Sequence, residues 1–173
     1  GKKIGVGGSA SATVAAIAAA YGLRDEKIDP QTLFDLAHRV HQGVQGTGSG
    51  VDIAASVWGG LLQYQACQAT PVQGLLPLLI WSGESASTGP RVVQYQRLDN
   101  DYRDKFRTQS NTLVAQYESD PITALNENGA LIADMAQTAG FSYLTPTLTR
   151  IIALAKSLGG GAKPSGAGGG DCA

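Results

Sequence analysis

Apolar residues along the chain recur at helical spacing over long stretches and in strand-like runs over two short ones. From Ala10 to Tyr21 the residues are small and mostly apolar, which predicts a helix buried on nearly all sides, with Gly22 as its C′ stop. Asp29-Pro30 opens the next helix, Pro30 standing at the first helical position, and Leu33, Leu36, Ala37, Val40 and Val44 form its apolar stripe. Leu61–Ala66 alternates loosely and Leu75–Trp81 is a short apolar run, so both are predicted as strands. Three helices follow. One starts with Leu98, Tyr102 and Phe106; one carries Ile122, Leu125, Ile132, Met135 and Ala139; Thr145-Pro146 opens the third, with Leu148, Ile151, Ile152, Ala155 and Leu158. Helices and strands segregate unevenly, which favours an α+β fold over a doubly wound sheet. Pro71-Val72-Gln73-Gly74 separates the strands and marks the expected boundary between a domain of residues 1–72 and one of residues 73–173.

The glycines change this picture. Most of the 23 cluster in Gly1–Gly8, Gly43–Gly60 and Gly159–Gly170, as loops at particular places and not as low complexity. The tail from Lys163 to Ala173 is a glycine run with nothing after it to hold its backbone, so the chain is expected to be truncated at its ends. The remaining composition mainly excludes. A net charge of −1 offers no basic footprint for nucleic acid or an anionic membrane. No apolar run is long enough to span a bilayer. Cys67 and Cys172 have no metal-ligand spacing and suit a reducing compartment, so a cytoplasmic protein is expected, as monomer or homodimer.

The chemistry lies in the three glycine loops. Gly5-Val6-Gly7-Gly8-Ser9-Ala10 precedes a helix, so its backbone can approach a phosphate while the helix aims N–H groups at it, with Lys2 and Lys3 near to add charge. The segment fits the dinucleotide fingerprint G-x-G-x-x-A, with Asp25 at a suitable distance, but no second strand precedes that aspartate. The form G-x-x-x-x-G-K-[ST] is absent. Gly46-Thr47-Gly48-Ser49-Gly50-Val51-Asp52 ends in a carboxylate able to ligate Mg²⁺, orient a nucleophile, accept a proton or simply cap a helix. The third loop sets Lys163 beside mobile backbone donors. His38 and His41 share a face of the second helix, with no further ligands at metal-site spacing, so structural or hydrogen-bonding roles are expected for both.

The order of these loops resembles the GHMP kinases, the superfamily of galactokinase, homoserine kinase, mevalonate kinase and phosphomevalonate kinase. Gly5-Val6-Gly7-Gly8-Ser9-Ala10-Ser11-Ala12 is similar to its ATP-phosphate loop, usually G-L-G-S-S-A-A. Gly48-Ser49-Gly50-Val51-Asp52 with Trp58-Gly59-Gly60 is similar to its catalytic-aspartate segment, and Lys163–Cys172 to its third motif. Two features lean toward phosphomevalonate kinases. Where mevalonate kinases carry a magnesium-binding glutamate this chain has His41, and Asp171 follows the tail glycines where mevalonate kinases more often have another glycine. Ser82-Gly83-Glu84-Ser85-Ala86-Ser87-Thr88 also resembles a serine-rich loop placed near the substrate. The family's N-terminal lysine motif is absent, and Gly8 replaces the first serine of the usual pair.

The resemblance implies a two-domain GHMP kinase fold, a nucleotide-binding βαβ N-domain with a ferredoxin-like C-domain, and transfer of the ATP γ-phosphoryl to the phosphate of (R)-5-phosphomevalonate. It implies ATP contacts from Gly5, Gly7, Gly8, Ser9, Ala10, Gly166, Ala167, Gly168 and Gly169, with Ser9 ligating Mg²⁺. It implies a catalytic Asp52 and acceptor contacts from Ser49, Gly50, Ser87, Thr88, Arg91, Lys163, Ser165 and Asp171. The alternatives are mevalonate kinase, another GHMP small-molecule kinase, or a non-catalytic GHMP-like module that binds a ligand without turning it over.

Overall fold

The computed structural model of the protein describes residues 4–46 and 48–173; Lys2, Lys3 and Thr47 lie outside them. The described chain forms two compact units, Val6–Gln73 and Gly74–Ala173, the latter joined by Ile4 and Gly5.

In the first unit α1 (Gly8–Gly22), α2 (Pro30–Gln45) and α3 (Val51–Trp58) pack on one another and on a hairpin of β1 (Leu62–Gln65) and β2 (Gln68–Pro71). The strands are antiparallel, Leu62 opposite Pro71 and Gln65 opposite Gln68. Ala66 and Cys67 form the turn with φ of 50° and 62°. This is the mirror-type turn that suits strand twist, built without the Asn-Gly pair that usually announces it, so the sequence gives no sign of β2. The core is Ala10, Val14, Phe34, Ala37, Ile53 and Ala54, flanked by Ile17, Leu33, Val57, Trp58, Tyr64 and Ala69.

Three expectations change here. Only Ala10 and Val14 of α1 are buried, so the helix covers one face and not nearly all sides. It runs through Gly22, and the left-handed stop is Asp25, after which Glu26 N–H donates back to the Tyr21 carbonyl. On α2 the seam against α1 and α3 is Phe34 and Ala37, while Val40 and Val44 are 50% and 82% exposed. The Asp29 carboxylate caps α2 by accepting from the Thr32 hydroxyl and N–H, bonds that hold its pKa below the usual value.

The second unit contains α4 (Gly89–Gln96), α5 (Asn100–Gln116), α6 (Pro121–Thr138) and α7 (Pro146–Ser157). Asp99, Asp120 and Thr145 cap α5, α6 and α7. α4 has no counterpart in the apolar pattern, because none of its residues is buried. The strand expected over Leu75–Trp81 is realised as one antiparallel bridge, Trp81 with Cys172, with further bonds between Ile80 and Ala173 and from Ser82 to Asp171. Pro77 offers no donor, and backbone pairing is confined to the end of the segment, while the Leu75 carbonyl accepts from the Tyr117 hydroxyl. Ala124, Met135, Ala136, Tyr143, Leu148 and Cys172 are the buried apolar residues of this unit. Among the described residues no helix is long and apolar enough to cross a membrane.

Candidate active site

In the first unit the fold brings two of the glycine loops together. Gly7 is the N-cap of α1, and Asp52 lies in the first turn of α3. A Cβ on Gly7 would stand 3.2 Å from Asp52 Cβ and 3.3 Å from Cγ, so the carboxylate is seated against the glycine that opens α1. The first bond of α1 runs from Ser11 N–H to the Gly7 carbonyl, which leaves the Gly8 and Ala10 amides ahead of the helix's own ladder. Ala10 is fully buried and offers only its backbone, whereas Gly8 is exposed with open space where a side chain would go. No side chain caps α1 and no acid stands in its first turn, so this end of the helix keeps its attraction for anions. Ser9 Oγ lies 3.3 Å from His41 Nε2, and Ser11 Oγ 3.0 Å from Ser56 Oγ, so side chains of α2 and α3 hold the start of α1.

The loop before Asp52 is held from below. Tyr64 donates its hydroxyl to the Ser49 carbonyl at 2.6 Å, and Ser49 Oγ accepts from Val51 N–H. Burial, then the neighbouring Cys67 thiol, pushes the Tyr64 hydroxyl up to about 12, so it remains a donor at ordinary pH. Gly50 caps α3 at φ 85°, and a Cβ there would meet Tyr64 Oη at 2.7 Å and His38 Nε2 at 2.9 Å. Of the acceptor contacts expected from Ser49 and Gly50, both backbones are therefore committed to shaping the turn that presents Asp52.

In the second unit the serine-rich loop and the tail are tied to one another. Asp171, at φ 57°, donates its N–H to the Glu84 carbonyl, accepts from Ser82 N–H, and takes Ala86 N–H on its side-chain Oδ1 at 3.1 Å. Gly5 lies against the same carboxyl. The Arg91 guanidinium rests on Gly169, donates to the Ser87 carbonyl at 3.1 Å and stands over the Phe141 ring. Gly169 N–H donates to the Tyr143 carbonyl, and the Tyr143 ring packs on Gly168. Burial raises the pKa of Tyr143, whose hydroxyl is buried without a hydrogen-bond partner, and of Cys172, where the Asp171 charge adds to it. Ser87, Thr88, Arg91, Gly168, Gly169 and Asp171 thus form one neighbourhood, and Thr88 precedes α4 without a capping bond of its own.

Lys163 is turned the other way. Its Nζ donates to the Pro164 carbonyl at 2.8 Å, its stem passes Gly129 of α6, and burial lowers its pKa. Ser165 is tied by its N–H to the Cys172 carbonyl, and Gly166 is exposed with open space around it. Among the described residues no group of three or more His, Cys, Asp or Glu is placed to hold a metal ion.

Comparison with known proteins agrees with this order of loops. The family model described as GHMP kinases N terminal domain matches residues 2–60, and that described as GHMP kinases C terminal matches residues 121–173. The chain belongs to the GHMP kinase family. A phosphomevalonate kinase of Streptomyces sp. strain CL190 is 29% identical over 99% of this chain and 56% of its own length. A mevalonate kinase of Thermococcus sibiricus is 29% identical over 97% of this chain and 54% of its own. The chain thus spans about half the length of the curated relatives it matches. The structure of a Streptococcus pneumoniae phosphomevalonate kinase in complex with phosphomevalonate and AMPPNP superimposes with a TM-score of 0.80, 23% identity and coverage of 99% of this chain and 61% of that one.

Within this GHMP kinase chain, sequence reasoning missed the residues that hold the loops. Tyr64 and Ser56 carry no motif signal. The shared helical face of His38 and His41 was visible, but which loops that face would meet was not. Asp171→Ala is expected to speed hydrogen exchange of the Ala86 amide about tenfold, since one charge-assisted bond is lost. Unchanged protection of that amide would show that the side chain does not tether the serine-rich loop.

Proposed function

We propose that this chain is the catalytic part of a phosphotransferase that moves the γ-phosphoryl of ATP onto the phosphate of (R)-5-phosphomevalonate, with residues 1–72 in the nucleotide-binding domain and 73–173 in the C-terminal GHMP domain. The observation that carries the reading is the seating of Asp52 against Gly7 at the uncapped start of α1. A phosphate loop and a carboxylate at one helix end suit phosphoryl transfer, which asks for positioning and charge neutralisation more than for covalent chemistry.

A nucleotide phosphate and Asp52 are both anionic, so a cation between them is needed for the two to share one helix end. Mg²⁺ fits such a place: it takes one or two protein oxygens, keeps the nucleotide phosphates as its other ligands, and needs no all-protein cage. We assign Ser9 Oγ and the Asp52 carboxylate as the protein oxygens that would hold it. Bound Mg²⁺ would offset the charge that builds on the β and γ oxygens.

Gly7, Gly8 and Ser9 hold the phosphates in this reading, and the tail glycines Gly166 and Gly168 with Ala167 and Gly169 serve the nucleotide as well. The bond from the γ-phosphorus to the ADP oxygen breaks as one forms to an acceptor phosphate oxygen. A phosphate monoester has its second pKa near about 6 and is mostly a dianion at pH 7. It needs no base, so Asp52 orients the acceptor or a lysine beside it. Ser87, Thr88 and Arg91 supply donors and charge for the anionic acceptor, Arg91 being pinned by Ser87 and Gly169. Asp171 acts mainly by holding the serine-rich loop.

The 29% identity to a phosphomevalonate kinase, Asp171 in the tail and His41 in place of a glutamate support the acceptor assignment. Mevalonate as acceptor is the second reading, favoured by the equally identical mevalonate kinase. In the full-length protein ADP release with MgATP is expected with 5-phosphomevalonate and not with mevalonate. The opposite preference would replace the acceptor, and nucleotide binding by the full-length protein without turnover on either would make it a ligand-binding module.

A further inference from the structure

The hairpin of the first unit reaches the loop that leads to Asp52 through one side chain. β1 alternates, with Leu62 and Tyr64 half-buried and Gln63 and Gln65 exposed. Tyr64 stands opposite Ala69, packs against the core and meets the Phe34 ring edge-on at 6.3 Å. Packing fixes the apolar ring, and the hydroxyl at its tip takes a polar partner. That partner is the Ser49 carbonyl, which accepts from the hydroxyl at 2.6 Å, at the short end of such bonds.

Gly50 lets the hydroxyl come this close. A Cβ there would stand 2.7 Å from Tyr64 Oη and 2.9 Å from His38 Nε2, a buried atom with no hydrogen-bond partner among the described residues. Gly50, at φ 85°, is the N-cap of α3, and its carbonyl receives Ala54 N–H at 2.9 Å. Asp52 follows two residues later, seated against Gly7. The Tyr64 bond therefore fixes the peptide from which α3 starts, and the start of α3 fixes how Asp52 meets Gly7. A small rotation of this turn would carry the carboxylate off its seat, and a misplacement of about 1 Å is enough to cost a positioned reaction about 100-fold.

We propose that Tyr64 is a positioning residue for phosphoryl transfer: its hydroxyl, through the Ser49 carbonyl and the Gly50 turn, holds Asp52 in the place where it serves the transfer step. This rests on the role given to Asp52 under the proposed function. It adds to that role a residue of the hairpin, outside the three glycine loops.

Tyr64→Phe tests it, because the variant loses the hydroxyl and keeps the ring. In the nucleotide-free full-length protein it should speed hydrogen exchange of the Ala54 amide about tenfold. The Ser11 amide, which bonds the Gly7 carbonyl at the start of α1, should exchange as before. With MgATP and the acceptor that the unaltered protein uses, kcat should fall about tenfold while KM for MgATP stays the same. In an Asp52→Asn background the same change should lower kcat no further. Unchanged Ala54 exchange, equal acceleration at Ala54 and Ser11, unchanged kcat, or a further tenfold loss in the double variant overturns the positioning role and leaves the kinase reading in place. No ADP release by the unaltered full-length protein with either acceptor overturns the kinase reading, and the positioning role in transfer with it.

Discussion

Gly168→Ala is expected to lower the melting temperature of the protein by roughly 10 °C. A Cβ at this position would lie 2.3 Å from both Cδ2 and the carbonyl oxygen of Tyr143, on a backbone at φ 73°. Neither neighbour yields easily. Tyr143 is 4% exposed, and its carbonyl already receives Gly169 N–H at 2.7 Å. Strain at a left-handed residue costs about 1–3 kcal/mol and overpacking a similar amount, so a loss of about 3 kcal/mol is expected. Gly166→Ala is the control, because nothing lies within 4 Å of its would-be Cβ. Its melting temperature should match the unaltered protein, and any effect it has on nucleotide affinity is then a ligand effect. Equal melting temperatures for the two variants would remove Tyr143 as the support of the tail loop.

If the proposed phosphotransfer holds, Asp52→Asn in the full-length protein lowers kcat about 100-fold or more with little change in melting temperature, since the side chain is exposed. The shape of the loss matters as much as its size. An aspartate that orients a phosphate dianion loses the same factor at every pH from about 7 to 9. One that removes a proton from an alcohol gives a loss that shrinks as rising pH supplies the base. A flat deficit therefore supports a phosphorylated acceptor independently of the acceptor comparison. Near-normal turnover of Asp52→Asn would take Asp52 out of the mechanism.

Much of the chain was legible residue by residue. Pro30 and Thr145-Pro146 opened helices where expected, because capping and proline geometry act within a few residues of the bond they serve. The three glycine loops were legible for the same reason. Close backbone approach demands glycine locally, and Gly7, Gly50, Gly168 and Gly169 each have an atom where a side chain would stand.

What failed were statements about which face meets what. The stripe of α2 was drawn from Leu33 through Leu36 and Ala37 to Val40 and Val44; Ala37 is core and Leu33 packs on it, but Phe34 was left out and Val40 and Val44 are exposed. The Leu75–Trp81 run was read as a strand, yet its apolar residues are exposed and only its end is paired. Each depends on neighbours distant in sequence.

By itself the sequence determined the family, the helix starts and the places where backbone must come close to something. Tertiary structure alone decided that Asp52 sits against Gly7, that His41 reaches Ser9, and that Asp171 spends one carboxylate oxygen on Ala86. The physical reason is range. Backbone conformation and capping are set within a turn of the chain, whereas the partner of a carboxylate or an imidazole is set by packing between elements tens of residues apart.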